Sequence, residues 1–325
     1  MILKNSKYNK LTERDMLVFI VGHEPRSTYL FEQNYDSRDQ YNTLAFHINN
    51  KSDGRSQYIN KLKKQGITVI DCDYGDVRIV ADRIIEFVNS RESESALGHL
   101  NIDYSSMPRS WYCALPILFD AYYDYQGEVF FWYNAGTYPR AYKDFPTEGI
   151  DSISVFSGIS LPSVDTKRYH FMGLGFDSLR TETIKSIVEP DTLIACYAYN
   201  PKYPIIKDQV YNVNKRTIQN ASLSVTLPLD SFVGMVDKLC SLVYDLLQKN
   251  AQVILVPDGP KPLIMAMSLI PDLISKPGVT CLHISPNLSN HPRVLIRPRD
   301  GEVYGFQLLS SNIHDSDTNN NSSQP

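Results

Sequence analysis

The feature that most constrains the fold of this chain is an internal repeat with an offset of 152 or 153 residues. In each copy one apolar run ends in a polar loop, and a later apolar run ends in a loop that opens a helix. The matched positions are Gly22 with Gly175, Glu24 with Asp177, Pro108 with Pro260, Arg109 with Lys261, and Tyr138–Arg140 with His291–Arg293. Self-similarity at a fixed offset indicates a duplicated structural unit. The sequence therefore predicts two copies of one domain.

The spacing of apolar residues predicts the same order of elements in both copies. Thr43–Ile48 and Thr192–Tyr197 have the composition of strands, and two longer segments place their apolar residues on one helical face. These helical segments are Asp76–Arg91 and Asp230–Gln248. Strands that alternate with amphipathic helices indicate a mostly parallel sheet with helices on both faces. The predicted fold class is α/β, a tandem duplication of a Rossmann-like unit with pseudo-twofold packing of the two repeats.

A polar segment after the predicted strand Ser152–Ser160 indicates a domain boundary. We expect the first Rossmann-like repeat in residues 1–160 and the second in residues 161–309. Residues 310–325 are rich in Ser, Asn and Asp, and they contain too few apolar side chains to form a core. This last segment is therefore expected to be a disordered polar tail.

Composition excludes several classes of protein. Of the 325 residues 42% are hydrophobic, and the mean hydropathy is -0.27, which argues against a disordered chain and against a membrane protein. The formal net charge of -4 argues against a duplex nucleic acid as partner. The first residues are too polar for a secretory signal, so a cytoplasmic location is expected. The five cysteines form no Cys-x-x-Cys motif, which predicts buried thiols rather than a metal site.

The loops after the predicted strands are the places to look for a ligand, because open α/β sheets bind ligands beyond the carboxyl ends of their strands. The loop Asp103–Arg109 opens a helix, where backbone amides and the helix dipole favour an anion. Ser106 and Arg109 are expected to bind a phosphate, and Asp258 and Lys261 occupy the matching positions in the second repeat. The alternative is that Ser106 and Asp258 are ordinary helix N-caps.

The first loop of each repeat is a second candidate. His23 and Glu24 have the chemistry of an acid–base pair, and Arg26 can clamp an anion. The second repeat has Asp177 and Arg180 but no histidine. An acid and an arginine shared by both repeats favour ligand contact over catalysis. The alternative is a solvated loop whose charges lie in water.

The third candidate is the aromatic run that begins at Trp132. Asn134 and Thr137 are predicted to follow a strand, where aromatic and amide groups can stack on a base and bind it. The alternative is a set of core aromatic side chains followed by a turn.

Three of these motifs occur in the order found in CRISPR-associated Rossmann-fold (CARF) sensor domains. Gly22–Pro25 matches the G-x-x-P-type loop after the first strand, Asp103–Arg109 matches the D-x-T-G-G-T-K-type loop, and Phe130–Tyr133 matches the aromatic strand that follows. The chain resembles this family over both repeats, although neither repeat contains the central Gly-Gly-Thr. The resemblance implies nucleotide sensing in antiviral defence, with Arg109 and Lys261 in the place of the family's lysine.

These observations lead to one favoured functional hypothesis and two alternatives. The favoured hypothesis is a sensor or regulatory protein that binds a nucleotide or other phosphate-bearing small molecule in a cleft between the repeats, with no cofactor and no metal. The first alternative is a metal-independent phosphodiesterase or transferase, in which His23 and Glu24 exchange protons and Ser105 holds or attacks the phosphate. The second is a scaffold subunit that binds another protein. No membrane partner is expected, and no phosphate-binding P-loop, dinucleotide fingerprint or G-x-S-x-G motif occurs.

Overall fold

The computed structural model describes residues 1–34, 42–48, 55–91, 98–122, 128–137, 146–160, 166–287 and 295–309. The chain divides into two compact units. The first unit contains Met1–Thr137 and the C-terminal segment that begins at Leu295, and the second unit contains Tyr138–Val294. Each unit has its own sheet.

Strands and helices alternate through most of both units. In chain order the strands are β1 (Ile2–Lys7), β2 (Met16–Ile20), β3 (Thr43–Ile48), β4 (Thr68–Cys72), β5 (Leu100–Asp103), β6 (Val129–Thr137), β7 (Ser152–Ile159), β8 (Arg168–Leu174), β9 (Thr192–Tyr199), β10 (Leu223–Pro228), β11 (Gln252–Val256), β12 (Val279–Ser285) and β13 (Arg297–Leu309). The α-helices are α1 (Tyr29–Asn34), α2 (Ser56–Lys64), α3 (Val77–Asn89), α4 (Arg109–Tyr122), α5 (Ser178–Val188), α6 (Pro204–Val213), α7 (Lys215–Gln219), α8 (Phe232–Leu247) and α9 (Lys261–Ile274). A 3-10 helix, Pro25–Thr28, precedes α1.

The two sheets share one strand order. The first is ordered β4-β3-β2-β5-β6-β13-β1 and the second β10-β9-β8-β11-β12-β7. Five neighbouring strands are parallel in each sheet, and the next strand, β13 or β7, pairs antiparallel. Counted within each unit, the parallel strands follow the Rossmann order 3-2-1-4-5. This arrangement confirms the predicted α/β fold with two Rossmann-like, mostly parallel sheets.

Two antiparallel strands, β7 and β13, each pair with the sheet of the other predicted domain. β7 pairs with β12, from Ser152 opposite Ser285 to Ile159 opposite Val279. At the far end of the chain, β13 pairs with β6 and with β1. The predicted boundary at residue 160 is therefore wrong, because strand pairing places β7 in the second unit and β13 in the first.

The repeat offset is preserved in the helices that open the candidate loops. Helices α4 and α9 each have 14 residues, and their first residues, Arg109 and Lys261, are 152 positions apart. Both contain an internal proline, Pro116 and Pro271. Helices α3 and α8 lie within the segments that periodicity predicted. The beginning of α8 is fixed by Ser231, whose hydroxyl accepts a hydrogen bond from the Gly234 N–H at 3.2 Å, as an N-cap does.

Each unit buries its own core between the sheet and the helices. In the first unit Leu17, Phe19 and Val21 pack with Leu62 of α2. The core of the second unit includes Met172, Leu174, Ile184, Leu193, Ala195 and Val256. Strand β2 is buried along its whole length, as expected for a parallel strand covered on both faces. The five cysteines are free thiols and all except Cys240 are buried, in agreement with the sequence.

Two predicted loops differ from the structure, and two predictions lie outside the described residues. The loop after β2 contains the 3-10 helix Pro25–Thr28, since Pro25 sets the backbone angle of a first helical position. Asn134 and Thr137 do not follow a strand but lie within β6, because the ladder with β13 continues to Thr137. The polar tail and the match between residues 138–140 and 291–293 fall outside the described ranges. Among the helices that the structure describes, none is both long enough and apolar enough to span a membrane.

Candidate functional site

The candidate site of each unit lies where the strand order reverses direction. In the first sheet β2 is flanked by β3 on one side and β5 on the other, and in the second β8 is flanked by β9 and β11. The chain therefore leaves β2 and β5, or β8 and β11, toward opposite sides of the sheet. This divergence opens a crevice at the carboxyl ends of these strands. We call these the first and second switch-point sites. They contain Gly22–Ser27 with Asp103–Arg109, and Gly175–Arg180 with Pro257–Lys261.

At the first switch-point site, the loops after β2 and β5 are in contact. A Cβ atom on Gly22 would lie 3.3 Å from the Cβ of Ser106, so glycine allows the two loops to approach. The Ser106 hydroxyl is 3.5 Å from Oε2 of Glu24. The structure therefore brings together two of the loops that the sequence identified independently.

Arg26 is buried at this site and contacts both the β2 loop and β6. Its side chain is only 3% exposed, and its Nε donates a hydrogen bond to Oε2 of Glu24 at 2.5 Å. Its Nη1 donates to the Tyr133 hydroxyl at 3.1 Å and to the Asn134 carbonyl oxygen at 3.3 Å. The guanidinium also lies over the Tyr133 ring, 5.3 Å from its centroid. Arg26 and Glu24 thus form a buried ion pair rather than a solvated loop.

A buried hydrogen-bond network joins Asp103, Ser105 and Asn134 next to this ion pair. Both the backbone N–H and the hydroxyl of Ser105 donate to Oδ1 of Asp103, at 2.9 and 2.5 Å. The Asn134 N–H donates to the Ser105 hydroxyl at 2.8 Å, and the Asn134 amide donates to Oδ2 of Asp103 at 3.2 Å. Ser105 is completely buried. Its hydroxyl donates to Asp103 and accepts from Asn134, which makes Ser105 part of this network, and its nucleophilic role stays a prediction.

The other predicted residues of the first unit lie around this centre. Arg109 is the first residue of α4 and is partly exposed. The carbonyl oxygen of His23 accepts a hydrogen bond from Nη2 of Arg55 at 2.6 Å, which ties the β2 loop to the start of α2. Thr137 is exposed at the last position of β6, opposite Arg297 of β13. Ser106 is three residues before α4, so it is not that helix's N-cap.

At the second switch-point site, glycines let the loop after β11 lie close to the end of β8. A Cβ on Gly173 would lie 2.3 Å from the Asp258 carbonyl oxygen, and a Cβ on Gly175 would lie 2.9 Å from the Cα of Gly259. Gly259 itself has a φ of 93°, a conformation that favours glycine. The loop before α9 therefore lies against the end of β8.

A second buried arginine, Arg180, gathers the carboxylates of this site. It is 3% exposed, and its Nη1 donates to Oε2 of Glu148 at 2.5 Å. Its Nη2 lies 3.6 Å from Oδ1 of Asp258. Asp177 caps α5 by accepting from the Arg180 N–H at 2.9 Å, and it also accepts from the Glu148 N–H at 3.1 Å. The predicted residues Asp177, Arg180 and Asp258 are thus brought together.

Asp258 differs from its expected alternative role. The N-cap of α9 is Pro260, with no side-chain hydrogen bond at the cap, and the Pro260 carbonyl oxygen accepts the first helical bond, from the Ile264 N–H. Asp258 instead forms the ion pair with Arg180. Lys261 is the first helical residue and is partly exposed.

The sequence missed two residues of these sites, Arg55 and Glu148. Tyr133 was part of the predicted aromatic run, but its contact with Arg26 was not predicted. Arg55 and Glu148 reach the sites from segments with no motif, and Glu148 is 29 positions before Asp177. Only strand pairing that places β7 in the second sheet brings the segment with Glu148 to this site, and no local pattern indicates that.

Comparison with known proteins shows no family for this chain. No family model matches it, and no curated protein matches it. A functionally unknown protein from Pseudomonas aeruginosa PAO1 is similar at 10% identity and a TM-score of 0.25, covering 84% of this chain and 93% of that chain. The cytoplasmic domain of a prokaryotic cation chloride cotransporter is similar at 9% identity and a TM-score of 0.22, covering 84% of this chain and 96% of that chain. Likeness at this level carries no argument about function.

Proposed function

We propose that this protein is a sensor or regulatory protein that binds a nucleotide or another phosphate-bearing ligand at a switch-point site. The observation that carries the proposal is a buried arginine, Arg26 or Arg180, beside the loop that opens the helix beginning with Arg109 or Lys261. Guanidinium groups bind phosphate through paired hydrogen bonds, and helix N-termini attract anions. Both features occur at the carboxyl edge of each sheet.

Within this proposal the side chains have separate tasks. Arg109 and Lys261 neutralise phosphate charge at the first positions of their helices, where the helix dipole acts in the same direction. The Ser106 hydroxyl donates to a phosphate oxygen. Glu24 and Asp177 accept hydrogen bonds from ligand hydroxyl groups or from a base. The resemblance to CARF domains and the cytoplasmic location remain predictions.

A second candidate function, a metal-independent phosphodiesterase or transferase, is favoured by one contact. Oε2 of Glu24 lies 3.5 Å from the Ser106 hydroxyl, which is the arrangement of a base beside a nucleophile. Under this alternative, Glu24→Gln abolishes turnover of a nucleotide and retains its binding. A sensor returns the nucleotide chemically unchanged, so chromatography of a nucleotide after incubation with the protein separates the two functions.

Thermal unfolding with a panel of nucleotides and matching nucleosides tests the proposed function. A ligand at about 100 times its Kd stabilises the folded state by about 2.7 kcal/mol, which raises Tm by several degrees. We expect nucleotides to raise Tm and nucleosides to raise it less. The double variant Arg109→Ala/Lys261→Ala removes the cation at the first position of the helix at each switch-point site and is expected to lose most of the rise.

The control is the double variant Arg14→Ala/Lys249→Ala. Both residues are exposed and precede β2 and β11, so they lie at the amino ends of the strands, away from the switch-point sites. This variant changes net charge by the same amount and should keep the wild-type response. Equal responses of the two double variants would contradict a role for Arg109 and Lys261, and no response of the wild-type protein to any nucleotide would contradict the proposed function.

A further inference from the structure

One edge of the Arg180 guanidinium is buried without a hydrogen-bond acceptor among the described residues. Nε and Nη2 of Arg180 have no hydrogen-bond partner, whereas Nη1 donates to Glu148. Oδ1 of Asp258 is 3.6 Å from Nη2, which is an ion-pair distance but longer than a hydrogen bond. Nε–H and one N–H of Nη2 point in the same direction and form the side-on fork of a guanidinium.

A buried fork of this kind requires an acceptor. A buried donor without a partner costs about 1–3 kcal/mol, and a charged donor costs more. The spacing of the two N–H groups matches two oxygens of one phosphate or carboxylate. An oxyanion that binds there removes the cost for both donors at once.

The first unit shows what a comparable arginine binds: Arg26 lies two residues after Glu24, as Arg180 lies three residues after Asp177. Nε of Arg26 donates to the carboxylate of Glu24 at 2.5 Å, so an oxyanion of the chain itself takes this position. In the second unit Asp177, which matches Glu24, has a side chain one methylene shorter. Its two oxygens accept instead from the backbone N–H groups of Arg180 and Glu148. The carboxylate that accepts from Nε in the first unit is therefore directed elsewhere in the second.

The surroundings of the Arg180 fork also suit a phosphate. Asp258 links Arg180 to the loop that opens α9, and α9 begins without a side-chain cap. Gly259 has no Cβ, so it places no side chain in this loop. The positive end of the α9 dipole adds to the charge of Lys261. Of the nearby carboxylates, Glu148 is bonded to Nη1 and Asp177 to backbone amides, so Asp258 is the one that competes with a ligand for the fork.

We infer that the second switch-point site is the one that binds the phosphate group, through Nε and Nη2 of Arg180, and that Glu24 occupies the corresponding position in the first. This inference rests on the proposed function and assigns it to one of the two units. The incoming phosphate displaces the ion pair between Asp258 and Arg180. A wild-type chain therefore binds one phosphate group at Arg180.

The experiment is isothermal titration of the full chain with AMP and with inorganic phosphate, using adenosine as the phosphate-free counterpart. AMP and phosphate should bind, and adenosine about tenfold more weakly or not at all. Arg180→Lys keeps the charge but removes the fork, so AMP affinity should fall about tenfold or more. Asp258→Asn removes the competing charge, so AMP affinity should rise severalfold.

Glu24→Ala provides an independent test, because it removes the acceptor of Nε of Arg26. We expect it to raise the number of phosphate groups bound per chain from one to two. If Arg180→Lys does not fold, as judged by circular dichroism, Asp258→Asn and Glu24→Ala still decide the matter. Unchanged AMP binding in both of these would overturn the inference.

The outcomes also distinguish this inference from the proposed function. AMP binding that survives Arg180→Lys but is lost in Arg109→Ala would leave the proposed function standing and overturn the assignment to the second unit. Failure of wild-type protein to bind AMP or inorganic phosphate at millimolar concentration would overturn the inference, while the nucleotide panel decides the proposed function. Arg14→Ala serves as the charge control throughout.

Discussion

Arg26 and Arg180 show how the first loop of a duplicated unit serves two local structures. Both are buried and both follow the first parallel strand of their unit, yet Glu24 bonds to Nε of Arg26 whereas Nε of Arg180 has no acceptor among the described residues. The sequence identified both arginines and both acids, because charged residues directly after an apolar run are visible without a structure. It did not show that the arginines are buried, since burial depends on distant residues such as Tyr133.

Another residue, His170 of β8, gives the protein a pH dependence. It is 2% exposed, and its Nδ1 has no hydrogen-bond partner in the described part of the chain. Burial lowers its pKa below the ordinary value, with Arg168 acting in the same direction and Asp191 against it. The unfolded chain therefore takes up a proton near pH 6.5, where the folded protein does not. We expect the free energy of unfolding to decrease as pH falls below about 6.5, by at most about 1.4 kcal/mol per pH unit.

Urea unfolding between pH 7 and pH 5 measures this effect. The His170→Gln variant should lose part of the pH dependence, whatever its stability at pH 7. His99→Gln, which replaces a half-exposed histidine, tests whether the loss of any histidine has the same effect. A pH slope in His170→Gln that equals the wild-type slope would contradict the burial argument.

At the scale of elements, periodicity predicted the parts of the fold that local sequence determines. The strand at Thr43–Ile48 and helices α3 and α8 agree with the predicted segments, because the strand is a short run of mostly apolar residues and the helices have apolar residues along one face. The exchange of β7 and β13 was not predictable from such patterns. Which sheet β7 or β13 joins depends on long-range pairing, because β6 and β12 both pair with an antiparallel strand.

The contact between the loop after β11 and the end of β8 can be tested at Gly259. An added Cβ would lie 2.5 Å from the Leu174 carbonyl oxygen, and the φ of 93° is itself unfavourable for other residues. We expect Gly259→Ala to lower the free energy of unfolding by roughly 2–4 kcal/mol, from backbone strain and steric overlap together. Chemical denaturation measures the change.

Gly66 offers a matched control for this prediction. Its φ is 82°, but a Cβ there would have no atom within 4 Å. Gly66→Ala therefore carries only the backbone strain, about 1–2 kcal/mol. If the two alanine variants lose the same stability, the predicted steric overlap between residue 259 and the end of β8 is contradicted.

At the scale of the whole molecule, the duplication gives two sheets of equal strand order that differ at their edges and at their switch-point sites. Because β13 pairs with β6 and β1, the first unit is not one continuous stretch of chain, whereas the second unit is, and residues 1–160 alone lack the strand that joins β1 to β6. The duplication also supplies an internal comparison, since each site shows how the other is modified. That comparison is the reason to assign phosphate binding to the second unit.

Hydrogen–deuterium exchange of the full chain with and without AMP is the measurement that tests phosphate binding at the switch points most directly. The account predicts that AMP slows exchange in residues 175–181 and 257–264, which surround Arg180 and the start of α9, and that adenosine does so far less. The amino ends of the strands, such as the segments before β2 and β11, should exchange as before. Protection confined to those amino ends, or none at any AMP concentration up to millimolar, would contradict the account.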